Sequence, residues 1–543
     1  MAEPAIKSVP KTSPAPYSSS QSSRDVVKEH FSNELVFGVV GFAGSGTSTI
    51  AAQLKELLES ETLRGGPFSA HIIKTRLLLK DWAEENKVGY DSTVDNKSIE
   101  SVVILQSIGN QLREKRGDLA AAAVLLIEAI RKKRADETGT SYDPKIPVQP
   151  DGSRRAYILD SIKHPAEVEL LRRVYGNAFA LVGVVCDELV KQTRLREQFS
   201  NSSPTKITEF MKNDAKSVHQ SGQRVEKTFY LADFYIDNSE DSTNSDNQTN
   251  ENWKIPEEMS RLIKIVTHAE IVRPRAPEVA MYFADCARLS SSCLSRQVGA
   301  ALMNANGSIV ATGANEAPRA GGGVYGESFS EDPKKDYRCA FHQNRDRRHC
   351  HSNEHQRKIV DELSKKLIES FPDLSSEPEK IQSILQGSSI GGLLEFSRAI
   401  HAEMDAILSA SRQGVSPKGT RLFVTTFPCH YCARHVVTAG VDEVQFIEPY
   451  PKSKALELHE DAITTRRASD WYPPSEGGTK VLFTPFVGVA PQLYRRAFMK
   501  DRDLKDDSTG HRQIGDPDWG SSWDTVKRSY ADLEVAITRM QAS

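Results

Sequence analysis

Two short clusters carry the most pointed chemistry in this chain: His401-Ala402-Glu403, and Pro428-Cys429-His430-Tyr431-Cys432. Zinc favours imidazole nitrogen and thiolate sulfur in a tetrahedron. Cys429 and Cys432 are three apart, so one helical turn sets both sulfurs on one face. Pro428 stands just ahead of that helix, and a helix start favours negative charge and so helps the thiols ionise. His401, from a second helix start, supplies a third ligand. Three protein ligands leave a fourth position for water, whose pKa zinc lowers toward neutrality. Glu403, two residues beyond His401, need not touch metal; it is placed to carry protons beside that water. The same residues would also suit a structural zinc knuckle, or a redox pair of Cys429 and Cys432. The upstream His-Ala-Glu and the proline before Cys429 favour the open, catalytic site.

A second group lies near the amino terminus. Gly41-Phe-Ala-Gly44-Ser45-Gly46-Thr47-Ser48-Thr49 follows the apolar run Leu35–Val40 and opens a helical pattern from Ile50. Strand, glycine turn and helix make a P-loop unit, whose backbone N–H groups converge on phosphate. The pattern fits G-x-x-x-x-G-K-[ST] except at Thr47, where lysine is expected. Ser48 keeps the hydroxyl that meets magnesium, and Asp160, ending the strand Ala156–Asp160, is the second acid on the magnesium side. Without the lysine, phosphate binding is expected and phosphoryl transfer is not. The alternative is a glycine-rich turn with no ligand.

The elements that must position these groups follow from the apolar pattern. Strands alternate with helices through residue 185, which predicts a parallel sheet covered on both faces. We expect a disordered Ser/Pro-rich tail over 1–30, a P-loop kinase-like domain over 31–238, a linker over 239–270 and a second domain over 271–543. The linker reading rests on the wholly polar stretch Asn238–Asn252. In the second domain Asn306-Gly307 between two short strands predicts a hairpin. Residues 321–390 read as an inserted, polar, partly helical excursion. The resulting fold class is α/β: a P-loop-type parallel sheet followed by an α/β/α sandwich.

Composition narrows the function classes. The net charge is −3, so no broad basic face for duplex nucleic acid is indicated. No apolar run reaches membrane-span length, and the first residues lack the apolar core of a secretory signal. Seven cysteines, two of them in one Cys-x-x-Cys, suit a reducing cytoplasm and a metal site better than a disulfide framework.

The pairing H-x-E with P-C-x-x-C is the signature of zinc nucleobase deaminases. Residues from about 274 to 461 resemble the deoxycytidylate deaminase branch of the cytidine-deaminase-like superfamily. Carrying residues are Cys293-Leu-Ser-Arg296-Gln-Val-Gly299, Thr312-Gly-Ala-Asn315-Glu-Ala-Pro, the two zinc motifs, and Thr425 ahead of Pro428-Cys429. The resemblance implies a mixed sheet of about five strands, water attack at C4 of cytosine with Glu403 carrying protons, and Asn315 binding the sugar. An ordinary turn asparagine is the alternative there. Asp405 departs from the asparagine the family often has. The long insertion holds Cys339, His342, His349, Cys350, His351 and His355; it is either a solvated charged loop or a second structural metal site, as some related enzymes have. Tyr450, Lys452 and Ser453 either help hold phosphate or form a plain surface turn.

Joined to the P-loop unit, and with Tyr230–Asn238 and Phe486–Tyr494 added, the resemblance extends over roughly residues 31–500 to bacterial anti-phage deoxycytidylate deaminases. It implies conversion of dCTP and dCMP to dUTP and dUMP, depletion of dCTP during infection, a homo-oligomer, and control by an effector such as a nucleotide or small RNA, with the P-loop domain as sensor. A nucleic-acid editing deaminase, a nucleotide-sensing switch and an active kinase are the competing classes. Editing enzymes must grip a strand, which the charge balance does not favour. Thr47 argues against a kinase.

Overall fold

A computed structural model describes residues 32–60, 64–89, 98–215, 221–243, 248, 250–326, 337–342, 344–388, 390, 396–450, 452–467, 471–499, 506 and 508–512. The tail expected over 1–30 lies outside the described residues. The strands are β1 (Glu34–Gly41), β2 (Ser69–Lys74), β3 (Arg155–Asp160), β4 (Phe179–Val185), β5 (Phe234–Asp237), β6 (Gly299–Met303), β7 (Ile309–Ala314), β8 (Arg421–Thr426), β9 (Glu443–Glu448), β10 (Ile463–Thr464), β11 (Val481–Pro485) and β12 (Gly488–Val489). In the first half the helices are α1 (Thr47–Leu58), α2 (Thr75–Glu85), α3 (Ile99–Arg116), α4 (Ala121–Thr138), α5 (Pro165–Tyr175), α6 (Glu188–Gln198), α7 (Pro204–Ala215), α8 (Val225–Phe229) and α9 (Ile255–Val266). Then come α10 (Ala276–Arg288), α11 (His351–Ser370), α12 (Pro378–Gly387), α13 (Ala402–Arg412), α14 (His430–Thr438), α15 (Ala455–Leu458) and α16 (Pro491–Phe498). None of the described helices is long and apolar enough to cross a membrane.

The first sheet has the order β12-β5-β4-β1-β3-β2, with β1 to β5 mutually parallel. β1 is buried along its whole length and alternates between two cores. Leu35, Phe37 and Val39 face Ile50 and Leu54 of α1 and Met259 and Leu262 of α9. Val36 and Val40 join Leu126 and Ile130 of α4 and Leu171 of α5. Parallel strands require crossovers, and these helices supply them on both faces.

The second sheet has the order β10-β11-β9-β8-β6-β7. β6 and β7 form the expected hairpin, closed by Gly307 N–H to the Asn304 carbonyl at 3.0 Å with Gly307 at φ 81°. β6 and β8 are antiparallel; β8, β9, β11 and β10 run parallel. Gly313 in β7 lets α13 lie directly on the sheet, since a Cβ there would sit 2.3 Å from the Ala402 carbonyl oxygen and the Ala406 nitrogen.

Two expected boundaries need correction. Residues 239–270 are not simply a linker: α9 lies within them, and its Ile255, Met259, Leu262, Ile263 and Val266 recur at helical spacing and pack into the first core. Nor does the chain from 271 onward stay with the second sheet. β12 pairs antiparallel with β5, covering what would be an open edge of the first sheet, and Leu493 of α16 joins the core against α9. One continuous core holds Val36, Tyr157 and Tyr235 together with Met281, Ala284 and Phe486. Within the excursion expected over 321–390, α11 and α12 are helical and largely exposed.

Candidate active site

Each metal-ligand candidate stands where a helix begins. His401 is the extended N-cap of α13 (φ −81°, ψ 154°), and Cys429 is the N-cap of α14 (φ −67°, ψ 165°), its Sγ accepting from Cys432 N at 3.5 Å. β7 and β8, held on either side of β6, deliver Asn315 and the Thr426–Cys429 turn to the same end of the sheet. His401 Nδ1 is 3.3 Å from Cys429 Sγ and 3.4 Å from Cys432 Sγ. The three donor atoms lie within 4.8 Å of one another. A tetrahedral zinc with ordinary bond lengths separates its nitrogen and sulfur ligands by about 3.5 Å, so the donor set fits that ion as it stands.

The electrostatics are those of a tightly coupled cluster. The hydrogen bond from the Cys432 thiol, aided by His401, brings Cys429 down to about 4, while burial opposes it. That same bond pushes Cys432 well above the usual thiol range. Hydrogen bonding to Cys429 raises His401 to about 9 against the pull of burial. Glu403, in the first turn of α13, is 4% exposed; burial raises its carboxyl to about 7, with His401 pulling it back.

His401, Glu403 and Cys429 line a cavity of about 590 Å³ together with Asn315, Tyr450 and Lys452. Asn315 is largely committed to the fold: Nδ2 donates to the Arg296 carbonyl at 2.7 Å, and Oδ1 accepts from Val298 N at 2.6 Å. One amide hydrogen and one lone pair remain for a ligand. Asp405, the departure noted in the sequence, accepts from Ala314 N at 3.1 Å and so fixes the strand end that carries Asn315; burial raises its carboxyl. Thr425 Oγ1 accepts from Gly299 N at 3.1 Å, tying β8 to β6. Ser453 Oγ donates to the Pro428 carbonyl at 2.8 Å, so it braces the cysteine turn.

Sequence reasoning gave several groups no role. Arg296 and Arg398 line the cavity, and Arg296 pairs with Glu448 at 3.0 Å. Glu448 also accepts from Thr426 Oγ1 at 2.9 Å. Glu316 accepts from Ser292 N and Oγ at 2.8 and 2.6 Å, pinning the loop after Asn315. Arg296 and Glu316 stood inside the quoted motifs without a role, and Arg398 stood three residues before His401. The six Cys and His residues of the insertion do not converge as one set. His349 and His351 come together with Glu354, Cys339 and Cys350 line the cavity, and His355 stacks on Phe396 at 5.2 Å. His342 Nδ1 accepts from Asn344 N at 3.1 Å.

The glycine turn, 41–49, forms between β1 and α1 as expected. Gly44 and Gly46 have φ of 81° and 83°, and the Asn238 amide donates to the Ser45 carbonyl at 2.7 Å. Ser48 Oγ donates to Asp160 Oδ2 at 2.8 Å. Thr47 opens α1, and Thr49 N–H bonds the Gly46 carbonyl at 3.0 Å.

Residues 276–448 match the family model of the cytidine and deoxycytidylate deaminase zinc-binding region. The chain is similar to ComE operon protein 2 of Bacillus subtilis (strain 168), 41% identical over 70 residues, which are 13% of this chain and 37% of that protein. It is similar to the deoxycytidylate deaminase of Enterobacteria phage T4, 42% identical over 55 residues, 10% of this chain and 28% of that protein. The alignments thus span little more than a third of these relatives at most. Among solved structures, a dCMP deaminase from the cyanophage S-TIM5, in complex with dCMP and dUMP, is 19% identical, covers 40% of this chain and 99% of that one, and has a TM-score of 0.22. The stretch that matches the family model holds α10, β6 to β9, α13 and α14, and with them His401, Glu403, Cys429 and Cys432.

Proposed function

We propose that the protein deaminates free deoxycytidine nucleotides, dCMP and dCTP, to the deoxyuridine nucleotides and ammonia. One observation carries this reading: the His401, Cys429 and Cys432 donors converge within 4.8 Å of one another, and His401, Cys429 and the buried Glu403 line a cavity of mononucleotide size. Zinc held by those three residues supplies a Lewis acid that makes water a nucleophile near neutral pH. Glu403 takes the proton that water gives up and hands it to the ring nitrogen beside C4, then takes the remaining proton from the new C4 hydroxyl and gives it to the departing amine, leaving the C4 carbonyl. The exchange balances as one water consumed and one ammonia released. Asn315 offers its remaining donor and acceptor to the sugar, and Arg296, Arg398 and Lys452 meet phosphate at the cavity wall.

Free nucleotides are favoured over a strand because the cavity carries Arg296, Arg398 and Lys452 at its wall while the chain as a whole has a net charge of −3. In the same reading the glycine turn binds nucleotide phosphate with magnesium at Ser48 and Asp160, and reports on the nucleotide pool. The buried Ser45 Oγ, which has no hydrogen-bond partner among the described residues, and the glycine backbone around it support a ligand there. Depletion of dCTP as an antiviral defence, a cytoplasmic setting, a homo-oligomer and an effector belong to this proposal through the family resemblance.

The test is a substrate panel with the full chain and zinc: cytidine, deoxycytidine, dCMP, dCTP and a single-stranded oligodeoxynucleotide, products read by mass spectrometry. Turnover of dCMP or dCTP that is lost in Glu403→Ala supports the proposal. Conversion of the oligonucleotide alone would refute it.

A further inference from the structure

The glycine turn already holds an anion, and that anion belongs to the protein. Ala43 donates its backbone N–H to Asp214 Oδ2 at 2.9 Å. Asp214 lies near the end of α7 and is 3% exposed. Lys163, three residues beyond β3, sets its Nζ 3.0 Å from Asp214 Oδ1 and 3.4 Å from the Gly41 carbonyl. The ammonium, the carboxylate and the turn's own amide thus form one chain of charge-assisted contacts at the mouth of the turn.

Two further features mark the turn as built for a ligand. Ser45 is 1% exposed, yet its Oγ has no hydrogen-bond partner among the described residues. It points back over Gly41, where an added Cβ would lie 2.3 Å from it. Ser48 and Asp160 are already paired beneath. In turns of this pattern the cation that follows phosphate sits just before the hydroxyl residue; here that place is Thr47, and a lysine stands across the turn instead.

We propose that Lys163 is the phosphate-binding lysine of this turn and that Asp214 is a built-in competitor for the phosphate. The proposal rests on the phosphate-binding reading of the turn given above and adds its specific chemistry. A nucleoside polyphosphate that seats in the turn displaces Asp214 from the Ala43 N–H and inherits its ion pair with Lys163. Phosphate brings more charge and more acceptor oxygens than one carboxylate, so the exchange is favourable when the nucleotide is abundant. Its apparent affinity is lowered by the fraction of molecules in which Asp214 holds the place. Each binding event then releases α7 from the turn.

Calorimetric titration of the full chain with Mg-ATP, and separately with tripolyphosphate, tests this. Asp214→Asn should bind about tenfold tighter and Lys163→Met about tenfold weaker, the size of one charge-assisted hydrogen bond. Lys163→Arg should keep most of the affinity. Thermal unfolding and circular dichroism of each variant establish that it folds; should Lys163→Met fail there, the Asp214→Asn arm decides alone. Binding by Asp214→Asn but not by the unaltered chain also supports the competitor. If the unaltered chain binds and Asp214→Asn binds no tighter, the ion pair is merely structural and this inference falls while the phosphate-binding turn stands. If neither the unaltered chain nor Asp214→Asn binds either probe at millimolar concentration, both fall.

Discussion

Replacing Glu278 should loosen the joint between the two sheets. Its side chain is fully buried at the start of α10 and accepts four hydrogen bonds. Two come from Arg261 of α9, both at 2.7 Å; one from Arg275 N at 2.7 Å; one from Val489 N, in β12, at 2.8 Å. Arg261 is only 11% exposed, so the ion pair is little screened. Glu278→Ala removes the counter-charge of that guanidinium, which keeps its bond to the Arg273 carbonyl at 3.2 Å, and leaves two backbone donors without their acceptor; removing one partner of a buried pair costs about 3–5 kcal/mol. Glu278→Gln keeps the volume but turns an N–H toward one of those donors; leaving one buried group unsatisfied costs about 1–3 kcal/mol. The assay is hydrogen exchange at Val489 with urea unfolding alongside. At 3 kcal/mol the Val489 amide should exchange on the order of a hundredfold faster, with β3 and β4 less affected. Unchanged exchange at Val489 together with an unchanged urea midpoint in Glu278→Ala would show that β12 is held to β5 without the carboxylate, and the reasoning would fail.

The other predictions concern the site. Cys432→Ser and His401→Ala should each abolish zinc retention, measured by metal analysis after dialysis, because each removes one of three donors that already face one another within 4.8 Å. Glu403→Gln should retain zinc yet lose about 10²–10⁴ in dCMP turnover; loss of zinc in that variant would mean the carboxylate is a ligand. Gly313→Ala would place a methyl 2.3 Å from the Ala402 carbonyl and the Ala406 nitrogen, so it should lower both thermal stability and zinc content, and a variant that melts like the unaltered chain would remove β7 from the list of elements that seat α13.

What could be read from the sequence follows from how far apart the cooperating residues lie. The thiol pair is local: Cys429 and Cys432 share one helical turn, and the helix start that favours their ionisation is written in Pro428 and the residues after it. His401 and Glu403 are equally local, so the site needed only one long-range fact, that α13 meets α14. The same holds for the glycine turn, where strand, turn and helix are consecutive. The misreadings fall where the partner is remote. β12 is two residues long and has no periodicity to read; it is a strand because β5, some 250 residues earlier, offers an unpaired edge. α9 was hidden by its neighbour, since the polar stretch before Trp253 drew a linker boundary across an amphipathic helix. Asp214 and Lys163 carry no motif, and their contacts to the turn span 171 and 122 residues. Asn315 was found by resemblance, but its bonds to Arg296 and Val298 depend on how the chain folds back beside it.

The two units are joined by packing rather than by tether, and this constrains any account of how one informs the other. α1, which begins at the glycine turn, packs on α9; α9 grips α10 through Arg261 and Glu278; α10 lies on β6, β7 and β8, the strands that carry Asn315 and lead into Cys429. Every link is a buried contact between rigid elements, and packed elements of this kind shift between discrete arrangements more readily than they deform. A signal between the turn and the zinc site would then pass through Glu278, a buried carboxylate bonded to both α9 and β12. Glu278→Gln is the discriminating variant for this reason. If nucleotide at the turn alters deamination in the unaltered chain, and the effect vanishes in Glu278→Gln while zinc and nucleotide still bind, the signal travels through the joint. If the effect survives, the communication runs elsewhere, and the shared core is no more than the support on which two independent sites were built.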